Sequence, residues 1–206
     1  MYLPDKQNRW TWGMSLALYS KSFRETNGEH VNTSQGDMIN RFKYQEELTE
    51  IERNEIAKNF ADQVFNLIKA ELKREFPDPK KPPFDVCLGL PENRNTGRSL
   101  PRDICRILAQ EHYWLKDGFA SVAKTRTGVV MKTLPHNERP EKVKGLYKID
   151  RSLLPQPRRG FLIIDDVFET GSTVGGLCDT LENDFPDLPR FVIALTHLHA
   201  TERLLK

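Results

Sequence analysis

The chemically densest stretch of this sequence is Phe161-Leu162-Ile163-Ile164-Asp165-Asp166-Val167-Phe168-Glu169-Thr170-Gly171-Ser172-Thr173. Four apolar residues read as a buried strand that ends in two adjacent carboxylates. A strand delivers such groups to its C-terminal edge, where open α/β sheets bind ligands. Two acids are costly there unless they accept hydrogen bonds or lie beside a cation. Vicinal sugar hydroxyls are suitable donors. The turn Thr170-Gly171-Ser172-Thr173 then opens a helix, so its backbone amides and the helix dipole favour a phosphate. Gly171 permits a close backbone approach. Carboxylates for a ribose beside an amide nest for a phosphate describe a ribose 5-phosphate site. An ordinary capping turn would explain Ser172 or Thr173, but not two acids at the strand end.

The elements around this segment alternate. Val174, Leu177, Cys178 and Leu181 form the stripe of the helix that follows it, and Phe191-Val192-Ile193-Ala194-Leu195 reads as a further buried strand. Upstream, Phe84 to Leu90 is another buried strand. Ser99 is an N-cap and Pro101 suits the first turn of a helix whose apolar stripe is Ile104, Cys105 and Leu108. A longer helix is predicted from about Leu48 to Lys73, because Ile56, Phe60, Val64, Leu67, Ile68 and Leu72 recur at helical spacing. The prolines between Phe76 and Pro83 end it. Trp10 to Tyr19 alternates in part and fits a strand, whereas 25–36 reads as a loop. Continuous apolar strands alternating with amphipathic helices predict a parallel sheet covered on both faces.

At 206 residues with 38% hydrophobic and 29% charged content, the chain is globular and needs no covalent staple. No apolar run approaches the length of a membrane span. The first residues carry no secretory pattern, so a cytoplasmic location is expected. The 31 basic and 29 acidic residues give +2, which argues against wholesale nucleic-acid binding. Cys87, Cys105 and Cys178 have neither zinc nor disulfide spacing and read as buried reduced thiols. His136, His197 and His199 show no metal-ligand spacing, and Trp10 and Trp12 read as core or hood residues. The segment 120–147 is basic, with Lys124, Arg126, Lys132, Arg139, Lys142 and Lys144 against Glu138 and Glu141.

The 161–173 segment resembles the thirteen-residue phosphoribosyl diphosphate (PRPP) signature of type I phosphoribosyltransferases, matching it at Asp165, Asp166, Thr170, Gly171 and Thr173. Elsewhere the chain is similar to the ComF-like, competence-protein branch of that family. Ile39-Asn40-Arg41-Phe42-Lys43-Tyr44 is similar to an early element of the branch. Thr125-Arg126-Thr127 and Arg139-Pro140-Glu141-Lys142-Val143-Lys144-Gly145-Leu146-Tyr147 resemble its central segment. The zinc ribbon of many members is missing. Met131 or a neighbour stands in for the usual glutamine, and Lys142 stands where asparagine is common. Gly97-Arg98-Ser99-Leu100 only echoes the family's Arg-Gly-Phe-Asn.

The resemblance implies a type I phosphoribosyltransferase (Rossmann-like) sheet with a small N-terminal hood, divided as hood or extension at 1–45 and core at 46–206. It implies a transferase that moves ribose 5-phosphate from PRPP to a nitrogenous base or amine, with release of pyrophosphate and with Mg²⁺ as cofactor, in nucleotide metabolism. Asp165 and Asp166 would hold the ribose hydroxyls or the hydrated Mg²⁺. Glu169, Thr170, Gly171, Ser172 and Thr173 would bind the 5-phosphate. Arg94 or Arg98, near the loop Leu90-Pro91-Glu92-Asn93-Arg94, would serve the diphosphate, and the region of Lys124 and Arg126 would form a flap. Glu169 would act as a general base or hold the incoming nitrogen; a solvent-exposed turn residue near a helix N-terminus is the other reading. Relatives are often homodimers. Two other classes also retain the site: a PRPP- or nucleotide-binding regulator without turnover, and a ComF-like accessory of DNA uptake.

Overall fold

The computed structural model describes residues 2–3, 9–18, 20–22, 31–75, 82–92, 99–125 and 145–197. Five strands form one parallel sheet: β1 (Trp12–Leu18), β4 (Val86–Gly89), β5 (Lys116–Asp117), β8 (Phe161–Phe168) and β9 (Arg190–His197), in the order β1-β9-β8-β4-β5. Two short antiparallel pairs stand apart from it, β2 (Ser20–Ser22) with β3 (Val31–Asn32), and β6 (Val122–Lys124) with β7 (Tyr147–Ile149). The helices are α1 (Ser34–Tyr44), α2 (Glu50–Glu75), α3 (Leu100–Glu111) and α4 (Ser172–Asp184). The architecture is therefore α/β with a parallel sheet flanked by helices, as the alternation of apolar strands and amphipathic helices predicts.

The unbroken apolar run of β8 exists because both faces of that strand are covered. Successive strand side chains point to opposite faces. Leu162 and Ile164 join one core with residues of α1, α2 and α3, whereas Phe161 and Ile163 join a second core with Val174, Leu177, Cys178 and Leu181 of α4 and with Val122, Tyr147 and Ile149 of the β6–β7 hairpin. In α2, Ile56, Phe60, Val64 and Ile68 are the buried stripe. Each contributes about 1.5–3 kcal/mol of burial, so packing holds this helix more than propensity does. Its entry is a reciprocal cap: Glu52 N–H donates to Thr49 Oγ1 (3.2 Å), and Thr49 N–H donates to Glu52 Oε2 (2.9 Å).

Ser99 caps α3, its hydroxyl accepting from Arg102 N–H, and Pro101 lies in the first turn, as expected. A Cβ at Gly89 would come within 2.8 Å of the Pro101 carbonyl carbon, so the start of α3 rests directly on the end of β4. Cys87 on β4 and Cys105 on α3 are buried free thiols whose sulfurs lie 2.8 Å apart, and Cys178 is buried in α4. At the opposite end of the sheet the buried Asp85 carboxylate accepts from the amides of Arg158 and Arg159, each at 3.1 Å. Arg159 in turn donates to the carbonyls of Pro82 and Trp114. That end is closed by local polar pairing and leaves the C-terminal edge for function.

Three boundaries differ from the sequence expectation. β8 does not stop at Ile164 but runs through both aspartates to Phe168, because Asp165, Val167 and Phe168 still pair with β9. Part of the 1–45 segment assigned to a hood belongs to the central sheet, since β1 pairs with β9 from Trp12 to Leu18. The unassigned basic segment is bounded by two paired strands, β6 and β7. Among the described residues, no helix is long and apolar enough to cross a membrane.

Candidate functional site

The chain leaves β4 toward one face of the sheet and β8 toward the other. α3 packs into the first core and α4 into the second. The carboxyl ends of these neighbouring strands therefore diverge and open a crevice, the place where ligands bind in open parallel sheets. Asp165 and Asp166 lie on β8 just past its last pair with β4, Gly89 with Ile164, and Glu92 lies just beyond the end of β4, whose extension is tied to β8 by a hydrogen bond from Leu90 N–H to Ile164 O (2.9 Å).

The two aspartates meet different neighbours because consecutive strand residues face opposite ways. Asp166 forms an ion pair with Lys43, which comes from the last turn of α1; the side chains are 14% and 20% exposed. Burial alone would lower the Lys43 ammonium, but the charge and hydrogen bond of Asp166 outweigh it, with help from Glu92, and the net shift is upward. Asp165 is turned toward the hairpin. Burial, and then the Asp166 charge, push its carboxyl up to about 8, against the opposing pull of Lys43, the Asp166 amide and Lys124.

Three further groups complete the cluster. Burial raises the Glu92 carboxyl, Lys43 opposes that rise, and the Asp166 charge adds to it. Glu92 Oε1 is buried without a hydrogen-bond partner. Lys124, on β6, is lowered by burial and held up in part by Asp165, Asp166 and Glu92; its ammonium stands 6.0 Å from the Tyr147 ring centroid. Tyr147, on β7, has a buried, unpartnered hydroxyl, and burial followed by the two aspartates pushes that phenol up. Three carboxyls, two ammonium groups and a phenol thus converge from α1, the β4 end, the hairpin and β8.

The turn that follows has the shape the sequence suggests. Gly171 adopts φ +74° and is the cap residue of α4, with no side-chain capping bond to the helix. A Cβ there would lie 2.8 Å from Phe168 Cζ and 3.1 Å from Trp10 Cη2. Trp10 meets Phe168 edge-on with 6.1 Å between ring centroids, so a residue from the N-terminal segment buttresses the turn. Thr170 Oγ1 and Ser172 Oγ are 2.9 Å apart, and Ser172 N–H donates to Thr170 Oγ1 (3.3 Å). Thr173 lies in the first turn of α4, and Glu169 is half-buried at the head of the loop. Ser15 Oγ and His197 Nδ1 are hydrogen-bonded at 2.9 Å, which assigns His197 to the β1–β9 edge.

Of the residues singled out by sequence, the structure brings Asp165, Asp166 and Lys124 together and sets Glu169, Thr170, Gly171, Ser172 and Thr173 immediately after them. Arg94, Arg98 and Arg126 lie outside the described residues, as do Met131, His136, Lys142 and His199. Lys43, Glu92 and Tyr147 were given no role by sequence reasoning. Lys43 and Tyr147 fall in the two stretches that carry the family likeness and Glu92 in the loop named for the diphosphate, yet nothing local marks them as partners of β8. Among the described residues, no group of three or more His, Cys, Asp or Glu side chains is placed to hold a metal ion by itself. The aspartate pair supplies hard oxygen donors that water or a ligand would have to supplement. No protein-family model matches the chain, and no curated protein matches it.

Proposed function

We propose that the chain is a PRPP-dependent phosphoribosyltransferase of the type I fold, similar to the ComF-like branch, which transfers ribose 5-phosphate to a nitrogenous base or amine. The observation that carries this reading is the acid pair on β8 just past its pairing with β4, on a strand that runs into the Gly171 turn at the start of α4. The acids suit vicinal hydroxyls, and the amides of the turn suit a phosphate. The parallel sheet flanked by helices supports the coarser, Rossmann-like part of this reading.

In the reaction the bond from C1 of the ribose to the diphosphate oxygen breaks, and a bond from C1 to the acceptor nitrogen forms. The electron pair of the broken bond leaves with pyrophosphate, and the nitrogen loses its proton. The chain's task is positioning and charge stabilisation in a site shielded from water. Asp165 and Asp166 would fix the sugar through its hydroxyls. Thr170 to Thr173 would hold the 5-phosphate. Lys124 and Lys43 would bring positive charge to the diphosphate side. Glu169 would orient the acceptor or take its proton. The aspartate pair fits a hydrated Mg²⁺, because Asp166 already holds a cation and Glu92 leaves an oxygen without a partner; when bound, that ion would neutralise charge on the diphosphate.

PRPP with Mg²⁺ should raise the melting temperature by mass action, and pyrophosphate should appear with one class of purine, pyrimidine or amine. A melting shift without pyrophosphate across the whole panel would identify a regulator that binds PRPP without turnover. No shift at millimolar PRPP would remove the reading.

A further inference from the structure

The Lys43–Asp166 ion pair ties the end of α1 to the acid pair of β8. Its two side chains are mostly shielded, and Glu92, Lys124 and Asp165 act on them electrostatically. Lys43 belongs to α1, whose Ile39 and Phe42 are anchored in the first core, so the ammonium approaches the sheet from a fixed helix on a flexible four-carbon stem. A divalent cation and an ammonium cannot share one carboxylate at close range without strong repulsion. Any metal that reaches Asp166 has to displace Lys43 first. Glu92, with an unpartnered oxygen, lies close enough to attract the released ammonium.

We propose that Lys43 is a resident counter-ion, which holds Asp166 until a divalent cation takes its place and then swings to an anionic group of the substrate. The inference rests on the reading that the crevice takes a metal-bound phosphorylated sugar, and it adds the residue that couples metal entry to substrate charge. Lys43 is a positioning residue here. It acts on the reaction through Asp166 and through the phosphate it is freed to meet. The metal adds two positive charges while the ammonium stays nearby, and the anionic substrate then balances that surplus.

The test uses Mn²⁺ alone as the probe, followed by electron paramagnetic resonance of the free ion, with the full chain in wild-type, Lys43→Met, Lys43→Arg and Asp166→Asn forms. Removing an ion pair that must break before the metal binds should tighten Mn²⁺ in Lys43→Met by about tenfold. Lys43→Arg should stay near wild type and Asp166→Asn should lose the ion. PRPP affinity at saturating Mg²⁺, measured by calorimetry, should fall about tenfold or more in Lys43→Met and return in Lys43→Arg. A lysine that stays on Asp166 when the metal binds would show no change in acylation, which separates it from a displaced one. A second readout needs no variant: acylation of Lys43 in the wild type, followed by peptide mass spectrometry, should speed up with Mn²⁺ alone and slow again when PRPP and Mg²⁺ are both present. Unchanged or weaker Mn²⁺ binding in folded Lys43→Met, or acylation indifferent to Mn²⁺, overturns the exchange even where PRPP binds. If PRPP fails to bind the wild type while Mn²⁺ still frees Lys43, the choice of donor falls and the counter-ion role stands.

Discussion

Replacing Asp165 by asparagine should make the protein more stable at neutral and alkaline pH. The carboxyl is buried on β8 just past its pairing with β4 and is pushed from 3.8 up to about 8, first by burial and then by the Asp166 charge. Below about pH 4 the group is protonated in both folded and unfolded chains and exerts no pull on the equilibrium. Between pH 4 and pH 8 the unfolded chain releases the proton while the folded chain retains it, so stability falls as pH rises; above pH 8 both are ionised and the penalty is constant. Each pH unit in that window costs about 1.4 kcal/mol, which gives roughly 4 kcal/mol at pH 7. Relaxation around the buried charge reduces this, and roughly 2–4 kcal/mol is expected. Asparagine keeps the shape and carries no charge. For a chain of this length each kcal/mol moves the melting temperature by about 2–4 °C, so a gain of roughly 5–15 °C is expected at pH 8, with near equality at pH 4. Urea titrations at pH 4.5, 6, 7 and 8.5, read by tryptophan fluorescence, measure the difference. A gap that does not change with pH, or an asparagine variant less stable at pH 8, would refute the account. The same variant should lose the melting shift with PRPP, the usual trade between stability and function at a strained site.

Two other substitutions probe the neighbouring parts. Gly171→Ala forces a left-handed residue with φ near +74° and drives a methyl against Phe168 and Trp10; the combined strain should cost about 2–4 kcal/mol in denaturant titrations and weaken inorganic phosphate binding. Tyr147→Phe removes a buried hydroxyl that has no partner, and should raise stability by about 1 kcal/mol in the same titrations, with an unchanged or lower stability counting against the orphaned hydroxyl.

The readable parts of this chain were those whose physics is local. The apolar run 161–164, the acids after it and the turn at Gly171 lie within thirteen residues, and so their relation is written in consecutive positions. Ser99, Pro101 and the stripe Ile104, Cys105 and Leu108 likewise fix α3 from within one helix. The partners of the acids were hidden because they arrive from elsewhere. Nothing near Lys43 announces that α1 will bring it to Asp166, and Tyr147 becomes a wall of the crevice only because β7 pairs with β6. The end of β8 was misjudged for the same reason. Charged residues look like the close of a strand in isolation, but β9 continues to pair alongside them to Phe168. The partial alternation of Trp10 to Tyr19 suggested a strand without saying which sheet it would join; the register Trp12 to Phe191 settles that.

The place of β1 also sets an order of events during synthesis. Among the described strands of the sheet its one neighbour is β9, so β1 must wait for a partner made much later in the chain. Until β9 appears, β8 is paired with β4 on one side alone, and its other edge is bare, an invitation to pair with another chain. Contacts so distant in sequence close slowly. Truncation ahead of residue 190 should therefore yield insoluble material rather than a smaller folded protein, because it takes β9 from between β1 and β8.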